Sequence, residues 1–298
     1  METVTMPDDR IPVTDDVRWN LLQKKATEQR VQEVFALFRQ HSIEAILIKG
    51  YAAAQFYPES QLRSSVDIDL AVSRSDYEAA TAISRSAEAN GLAVDLHREL
   101  RHLDTASWDD LFNNSRLLQL DKESIRVLRP EDHLRVLCVH WLNDGGASKD
   151  RLWDIYYLID NRPEDFDWDR FLHTVDSRRR RWLTCALGLT SLYLGLDLSD
   201  TPVENASQQV PRWLIRAVER EWASTTRLTP LHVSLDDCWL LTKQILKRMR
   251  PNPVSSTIEM EGSFDARTRI FYQLGSIFKR TMPSYRRIFA TITAPRSK

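Results

Sequence analysis

No run of about eighteen apolar residues occurs in the 298-residue chain, so no membrane-spanning helix is expected. The first residues are acidic and polar, among them Asp8, Asp9, Asp15 and Asp16, with no basic stretch leading into an apolar one. A secretory signal is therefore not expected, and the natural compartment is the cytoplasm. Net charge is also missing: 41 basic residues against 42 acidic ones leave -1 at pH 7. No global field draws the whole molecule onto nucleic acid. The three cysteines, Cys138, Cys185 and Cys238, are too widely spaced for a zinc motif and too few and odd for a disulfide framework. Each lies in an apolar run and reads as a small core residue. No internal repeat is visible, and no strand pattern follows about Arg129.

One absence is local. After Asp265 no acidic residue follows, whereas Arg267, Arg269, Lys279, Arg280, Arg286, Arg287, Arg296 and Lys298 do. A second basic run is Arg178–Arg181. Both are consistent with solvated helix faces, and both are consistent with a patch for a polyanionic acceptor such as RNA.

What is present divides the chain in three. Residues 1–14 carry two prolines and several acids and little to bury, and are expected to be disordered. Residues 15–129 alternate helical and strand periods. Trp19, Leu22, Ala26, Val31, Val34, Phe35 and Phe38 recur at threes and fours, which predicts a helix over Asp15–His41. Ala45–Lys49 is a short apolar run closed by Gly50, a buried strand and turn. Tyr51–Phe56 is alanine-rich and predicts a short helix stopped at Pro58. Asp67–Val72 and Ala93–Leu100 alternate as strands with one working face, a helix over Asp76–Asn90 lies between them, and Ser124–Leu128 is a further strand. Residues 130–298 read as all helical, with helices over Glu131–Leu142, Arg151–Asp160, Trp168–Val175, Trp182–Leu194, Pro211–Trp222 and Cys238–Lys247. Trp141, Trp153, Trp168, Trp182 and Trp213 are spaced as packing residues.

The chemistry gathers on the strands. In Asp67-Ile68-Asp69 the two carboxylates share one strand face, with Cα atoms about 6.5–7 Å apart. Such a pair is costly unless solvated or neutralised, and two divalent cations about 3.5–4 Å apart neutralise it well. Asp95, on the next strand, supplies a third carboxylate if the strands pair, because directly opposed side chains come within about 5 Å. Lys49-Gly50 ends a strand and opens a short helix, where backbone N–H groups and the absence of a Cβ suit phosphate oxygens. Lys49 and Arg63 can add charge-assisted bonds to a triphosphate. Tyr51, Ser64 and Ser65 flank these groups and complete the expected nucleotide contacts. His97 shares the face of Asp95, as a nucleotide or acceptor contact or as a structural histidine. His140 and Asp154 sit on helices, as core or interface residues or as a pair with each other. Glu131 and Asp132 open a helix as dipole and capping residues.

The stretch from about Trp19 to about Asp197 resembles an uncharacterised nucleotidyltransferase family of the polymerase-β-like superfamily. The resemblance rests on Ile48-Lys49-Gly50, Tyr57-Pro58, Arg63, Asp67-Ile68-Asp69-Leu70, Asp95-Leu96-His97, Pro130-Glu131-Asp132, His140 and Trp153-Asp154-Ile155. Two features depart from the superfamily pattern: Gly50 is followed by Tyr51 instead of glycine or serine, and the gap from Gly50 to Asp67 is long. The resemblance implies an α+β fold, a palm-type mixed sheet with helices on one side followed by an all-helical domain. It implies Mg²⁺ or Mn²⁺ on Asp67, Asp69 and Asp95, an NTP such as ATP as substrate, and transfer of a nucleoside monophosphate to a hydroxyl with release of pyrophosphate. The acceptor stays open between a small molecule, a peptide or protein, and RNA, the last as in an RNA-modifying toxin. A catalytically inactive binding module with the same fold is the alternative.

Overall fold

The computed structural model describes residues 15–59, 61, 63, 67–86, 88–89, 91–100, 102–121, 123–224, 239, 242–243 and 250–279. Outside the described residues lie the N-terminal stretch expected to be disordered, Ser64 and Ser65, Cys238 with most of the helix expected around it, and the basic tail from Arg280 onward. The chain divides into two compact units, Met1–Arg101 with Ala106–His133, and His102–Thr105 with Leu134–Lys298.

In the first unit the order of elements is α1 (Asp15–Gln40), β1 (Ile46–Leu47), α2 (Tyr51–Ala54), β2 (Ile68–Val72), α3 (Tyr77–Ser84), β3 (Val94–Arg98), α4 (Trp108–Asn113), β4 (Arg116–Leu120) and β5 (Glu123–Val127). The strands form one mixed sheet in the order β3-β2-β1-β5-β4. β1 runs antiparallel to β2 and parallel to β5, β2 runs parallel to β3, and β4 and β5 are an antiparallel pair.

Alternation decides what each sheet face meets. Ile68, Leu70 and Val72 of β2 are buried in one core with Leu47, and with Val31, Val34, Phe35, Leu37 and Phe38 of α1 and Ala80 of α3; Val94 and Leu96 of β3 pack against that core. Burying each larger side chain stabilises the unit by about 1.5–3 kcal/mol. Asp69 and Ala71, and Asp95 and His97, fall by alternation on the opposite face. The fold is therefore the expected α+β arrangement, a mixed sheet with α1 and α3 on one side.

Several elements differ from the sequence expectation. α1 has 26 residues, about 39 Å at 1.5 Å per residue. Trp19 and Leu22, expected on its apolar stripe, are 61% and 62% exposed, whereas Val31, Val34, Phe35 and Phe38 further along are buried. α3 ends six residues before the expected Asn90. There the Ser84 hydroxyl donates to the Thr81 carbonyl, and turn bonds Arg85 N–H to Ala82 and Ser86 N–H to Ile83 tighten the backbone. α4 and β4 carry no clear period and were not anticipated.

The second unit, among its described residues, is helical. It contains the chain from Leu134 in α5 (Pro130–Asn143), then α6 (Leu152–Asp160), α7 (Trp168–His173), α8 (Ser177–Leu194), α9 (Glu204–Ser207), α10 (Arg212–Trp222), α11 (Pro253–Glu259) and helical residues 270–279. Trp141 and Trp182 are fully buried and stand in the core as expected. Four indole N–H groups donate to carbonyls: Trp141 to Ser148, Trp182 to Gly262, Trp213 to Phe264 and Trp222 to Gly146. Such bonds let large rings enter a core without stranding a donor. Gly188 of α8 has no room for a side chain, since a Cβ would stand 2.1 Å from the Ser207 carbonyl oxygen of α9. Cys138 and Cys185 are buried free thiols, and burial pushes the Cys185 thiol up to about 12.

The run Arg178–Arg181 is engaged inside this unit. Arg178 reaches Asp176 and the Glu261 carbonyl, Arg179 pairs with the Glu261 carboxylate, Arg180 donates to the Leu172 carbonyl, and Arg181 donates to the Ala206 and Gln209 carbonyls. These bonds favour the structural reading of the run over a surface patch for a polyanion. No helix among the described residues is long and apolar enough to cross a membrane.

Candidate active site

The parallel pairing of β2 with β3 sets Asp69 directly beside Asp95, and Ala71 beside His97. β1 arrives on the other side of β2. Past its end the Ile48 N–H still donates to the Asp69 carbonyl, at 3.1 Å. That bond carries the next residue, Lys49, to the acidic position: its Nζ lies 2.7 Å from Asp69 Oδ1. Gly50 then takes φ 62°, ψ -113°, a backbone conformation closed to residues with a Cβ. The turn bonds Ala52 N–H to Lys49 and Ala53 N–H to Gly50 start α2.

His97 completes the group. Its Nε2 lies 3.4 Å from Asp95 Oδ2 and 3.7 Å from Asp69 Oδ1. One ligand atom each from Asp69, Asp95 and His97 falls within 4.8 Å of the others, a grouping that can hold a metal ion. Accessibility is graded across it: the side chains of Asp69 and His97 are 13% and 14% exposed, that of Asp95 58%. Burial alone would raise the Asp69 carboxyl, but the His97 imidazole and the Lys49 ammonium outweigh it and hold it at about 2. The costly pair of strand carboxylates is thus neutralised in part by the chain's own lysine.

The other expected residues are placed as follows. Asp67 is exposed at the bend before β2 and is not part of the three-residue group. Tyr51 is 5% exposed in the core beneath the sheet, and its hydroxyl donates to Glu28 of α1 at 2.9 Å. Arg63 is partly buried. His140 Nε2 stands 2.5 Å from Arg151 Nη1 and 3.5 Å from Asp144 Oδ2. Asp154 is buried on α6. Glu131, at the first turn of α5, is buried and pairs with Arg129 at 3.1 Å.

Sequence reasoning did not find one prominent charged pair. Asp104 and Arg135, both in the second unit, are buried, and Arg135 Nε lies 2.8 Å from Asp104 Oδ2. Nothing local marks Asp104, whose partner lies far along the chain. A second underread residue is His97: the alternation put it on the face of Asp95, but a metal-ligand spacing cannot be seen before the strands pair.

Residues 13–195 match a family described as uncharacterised nucleotidyltransferase, a span that contains the whole sheet together with Lys49, Asp69, Asp95 and His97. No curated protein matches the chain, and no solved structure does. The matched span covers well over half of the sequence, and it carries a nucleotidyltransferase domain whose substrate class is a nucleotide. The chain belongs to the uncharacterised nucleotidyltransferase family.

Proposed function

We propose that the protein moves a nucleoside monophosphate from an NTP to a hydroxyl acceptor at the face formed by Asp69, Asp95 and Asp67. The observation that carries this reading is the pairing of Asp69 with Asp95 at one level of two parallel strands, on the sheet face opposite α1 and α3. Two converging carboxylates are a donor set that fits a divalent cation. Mg²⁺ or Mn²⁺ held there by Asp69 and Asp95, with Asp67 at the strand's start, would screen the triphosphate charge and lower the pKa of the attacking hydroxyl.

The residues supply position. Asp69 is fixed by the Ile48 N–H on its backbone and by Lys49 and His97 on its side chain. Asp95 is the exposed member, and on this reading it would meet the incoming substrates. Lys49, released from Asp69, and the fork of Arg63 hold the β- and γ-phosphates. The acceptor oxygen attacks the α-phosphorus in line, the bond from that phosphorus to the bridging oxygen of the β-phosphate breaks, pyrophosphate leaves, and the hydroxyl proton passes to solvent. Gly50 lets phosphate oxygens approach the main chain.

The test is to incubate the protein with each NTP labelled in its α-phosphate, with Mg²⁺ and cell extract, and to separate RNA, protein and small molecules. Label should enter one of these fractions with release of pyrophosphate. Asp95→Asn, at a side chain exposed enough to spare the fold, should lower the rate by about a hundredfold or more. Undiminished transfer by that variant would refute the assignment, and an absence of label in every fraction would leave the inactive binding module.

A further inference from the structure

Of the groups in the site, His97 is the one whose chemistry the transfer reaction above leaves unused. It sits two residues beyond Asp95 on β3, on the same face, and it is 14% exposed. Its Nε2 stands between two carboxylates, 3.4 Å from one and 3.7 Å from the other. Zn²⁺, a representative first-row cation, binds imidazole nitrogen and carboxylate oxygen at about 2.0–2.2 Å. Atoms sharing one such cation lie no more than about 4.4 Å apart, and both separations fall inside that limit.

We infer that His97 is itself a ligand of the cation held by Asp69 and Asp95, and that the site consequently takes a transition cation such as Mn²⁺ more tightly than Mg²⁺. This rests on the reading of the site given above and specifies which cation it selects. The selectivity follows from the donor atoms. Mg²⁺ takes oxygen ligands and sheds its waters reluctantly, so it gains little from an imidazole. Mn²⁺ accepts carboxylate and imidazole alike, and cations later in the first row prefer nitrogen more strongly still. A site of oxygens alone would be indifferent to the residue at 97. With His97 as third ligand, Mn²⁺ affinity depends on it and Mg²⁺ affinity does not.

The experiment uses the full chain without nucleotide. Mn²⁺ binding is followed by loss of the free-ion electron paramagnetic resonance signal, and Mg²⁺ binding by its competition with Mn²⁺. Spin-echo modulation spectra of the bound Mn²⁺ report any directly coordinated nitrogen. The wild type should show ¹⁴N modulation and bind Mn²⁺ more tightly than Mg²⁺. His97→Gln, which keeps the volume and the polarity, should lose the modulation and weaken Mn²⁺ at least about tenfold, the scale of removing a group that supports a metal site. Its Mg²⁺ affinity should stay close to that of the wild type. Mn²⁺ bound without ¹⁴N modulation in the wild type overturns the role of His97 while leaving nucleotidyl transfer at the two aspartates intact, and this readout does not depend on the variant folding. Equal Mn²⁺ affinity in wild type and His97→Gln has the same consequence. No Mn²⁺ binding by the wild type would remove the metal reading of the site itself, and with it this inference.

Discussion

Asp69 and Asp104 are both withdrawn from water, and the chain treats them differently. Asp69 keeps some exposure and meets a flexible lysine and an imidazole, groups that can move or change partner. Asp104 is 0% exposed and meets the Arg135 guanidinium, which is 1% exposed and also donates to the Arg170 carbonyl at 2.8 Å. The first arrangement suits a site and the second a scaffold. Removing one partner of a buried pair leaves the other charge without compensation, which costs about 3–5 kcal/mol. Arg135→Met should therefore lower the urea midpoint of unfolding by a corresponding amount, while the double variant Asp104→Leu with Arg135→Met should recover much of the loss. A single variant as stable as the wild type would show the pair to be inert. Sequence reading found Asp69 and not Asp104 for a physical reason. The strand alternation that marks Asp69 is local, whereas nothing around Asp104 anticipates a guanidinium on α5. The ion pair of Lys49 with Asp69 was equally hidden, because it depends on β1 and β2 lying side by side.

At the scale of elements, strong local periods survived into the structure and weak ones did not. β2 and β3 stand where the alternation placed them, and their pairing brings Asp69 and Asp95 to one level. β1 shrinks to two residues, since a run buried on both faces carries no alternation to mark its ends. β4 was missed because Arg116–Leu120 mixes apolar and polar residues without a period, and Leu117 is 61% exposed. α8 begins at Ser177, ahead of the expected Trp182, because the arginine run that reads as a solvated patch is its first turn. Asp176 caps that turn, its side chain accepting from the Arg179 N–H at 2.8 Å. The same bond, aided by the Arg178 and Arg179 charges and opposed by burial, lowers the Asp176 carboxyl below its ordinary value. Asp176→Ala should cost about 1 kcal/mol at neutral pH, within the range for lost N-caps. The sign of the pH dependence follows. A carboxyl lowered in the folded state contributes stability that is present above its unfolded value, about 3.9, and is lost as pH falls through the folded one. Unfolding curves at neutral pH and in acid should thus show the wild-type advantage narrowing towards low pH. An advantage that is constant or grows in acid would place the effect elsewhere than at this cap.

At the scale of the whole molecule, the core of the first unit consists of apolar side chains between the sheet and α1, on the sheet face opposite Asp69 and Asp95. Folding should therefore not depend on a cation, in contrast to small domains that exist only when loaded. EDTA should leave the protein folded, with a cooperative melting transition, whereas Mg²⁺ with the preferred NTP should raise stability by about 2.7 kcal/mol at a hundred times the dissociation constant. Unfolding by EDTA alone would show that a metal holds the fold. The ion pair of Lys49 with Asp69 gives this independence a further meaning. On the proposed reading, cation uptake at Asp69 would be an exchange and not an addition: the Lys49 ammonium, now 2.7 Å from Oδ1, would give up its place as the metal arrives. The displaced ammonium would then lack an anion, and a triphosphate would offer one. The site would then behave as an ion exchanger with one resident charge, and metal and nucleotide would be coupled ligands, each making the other easier to seat.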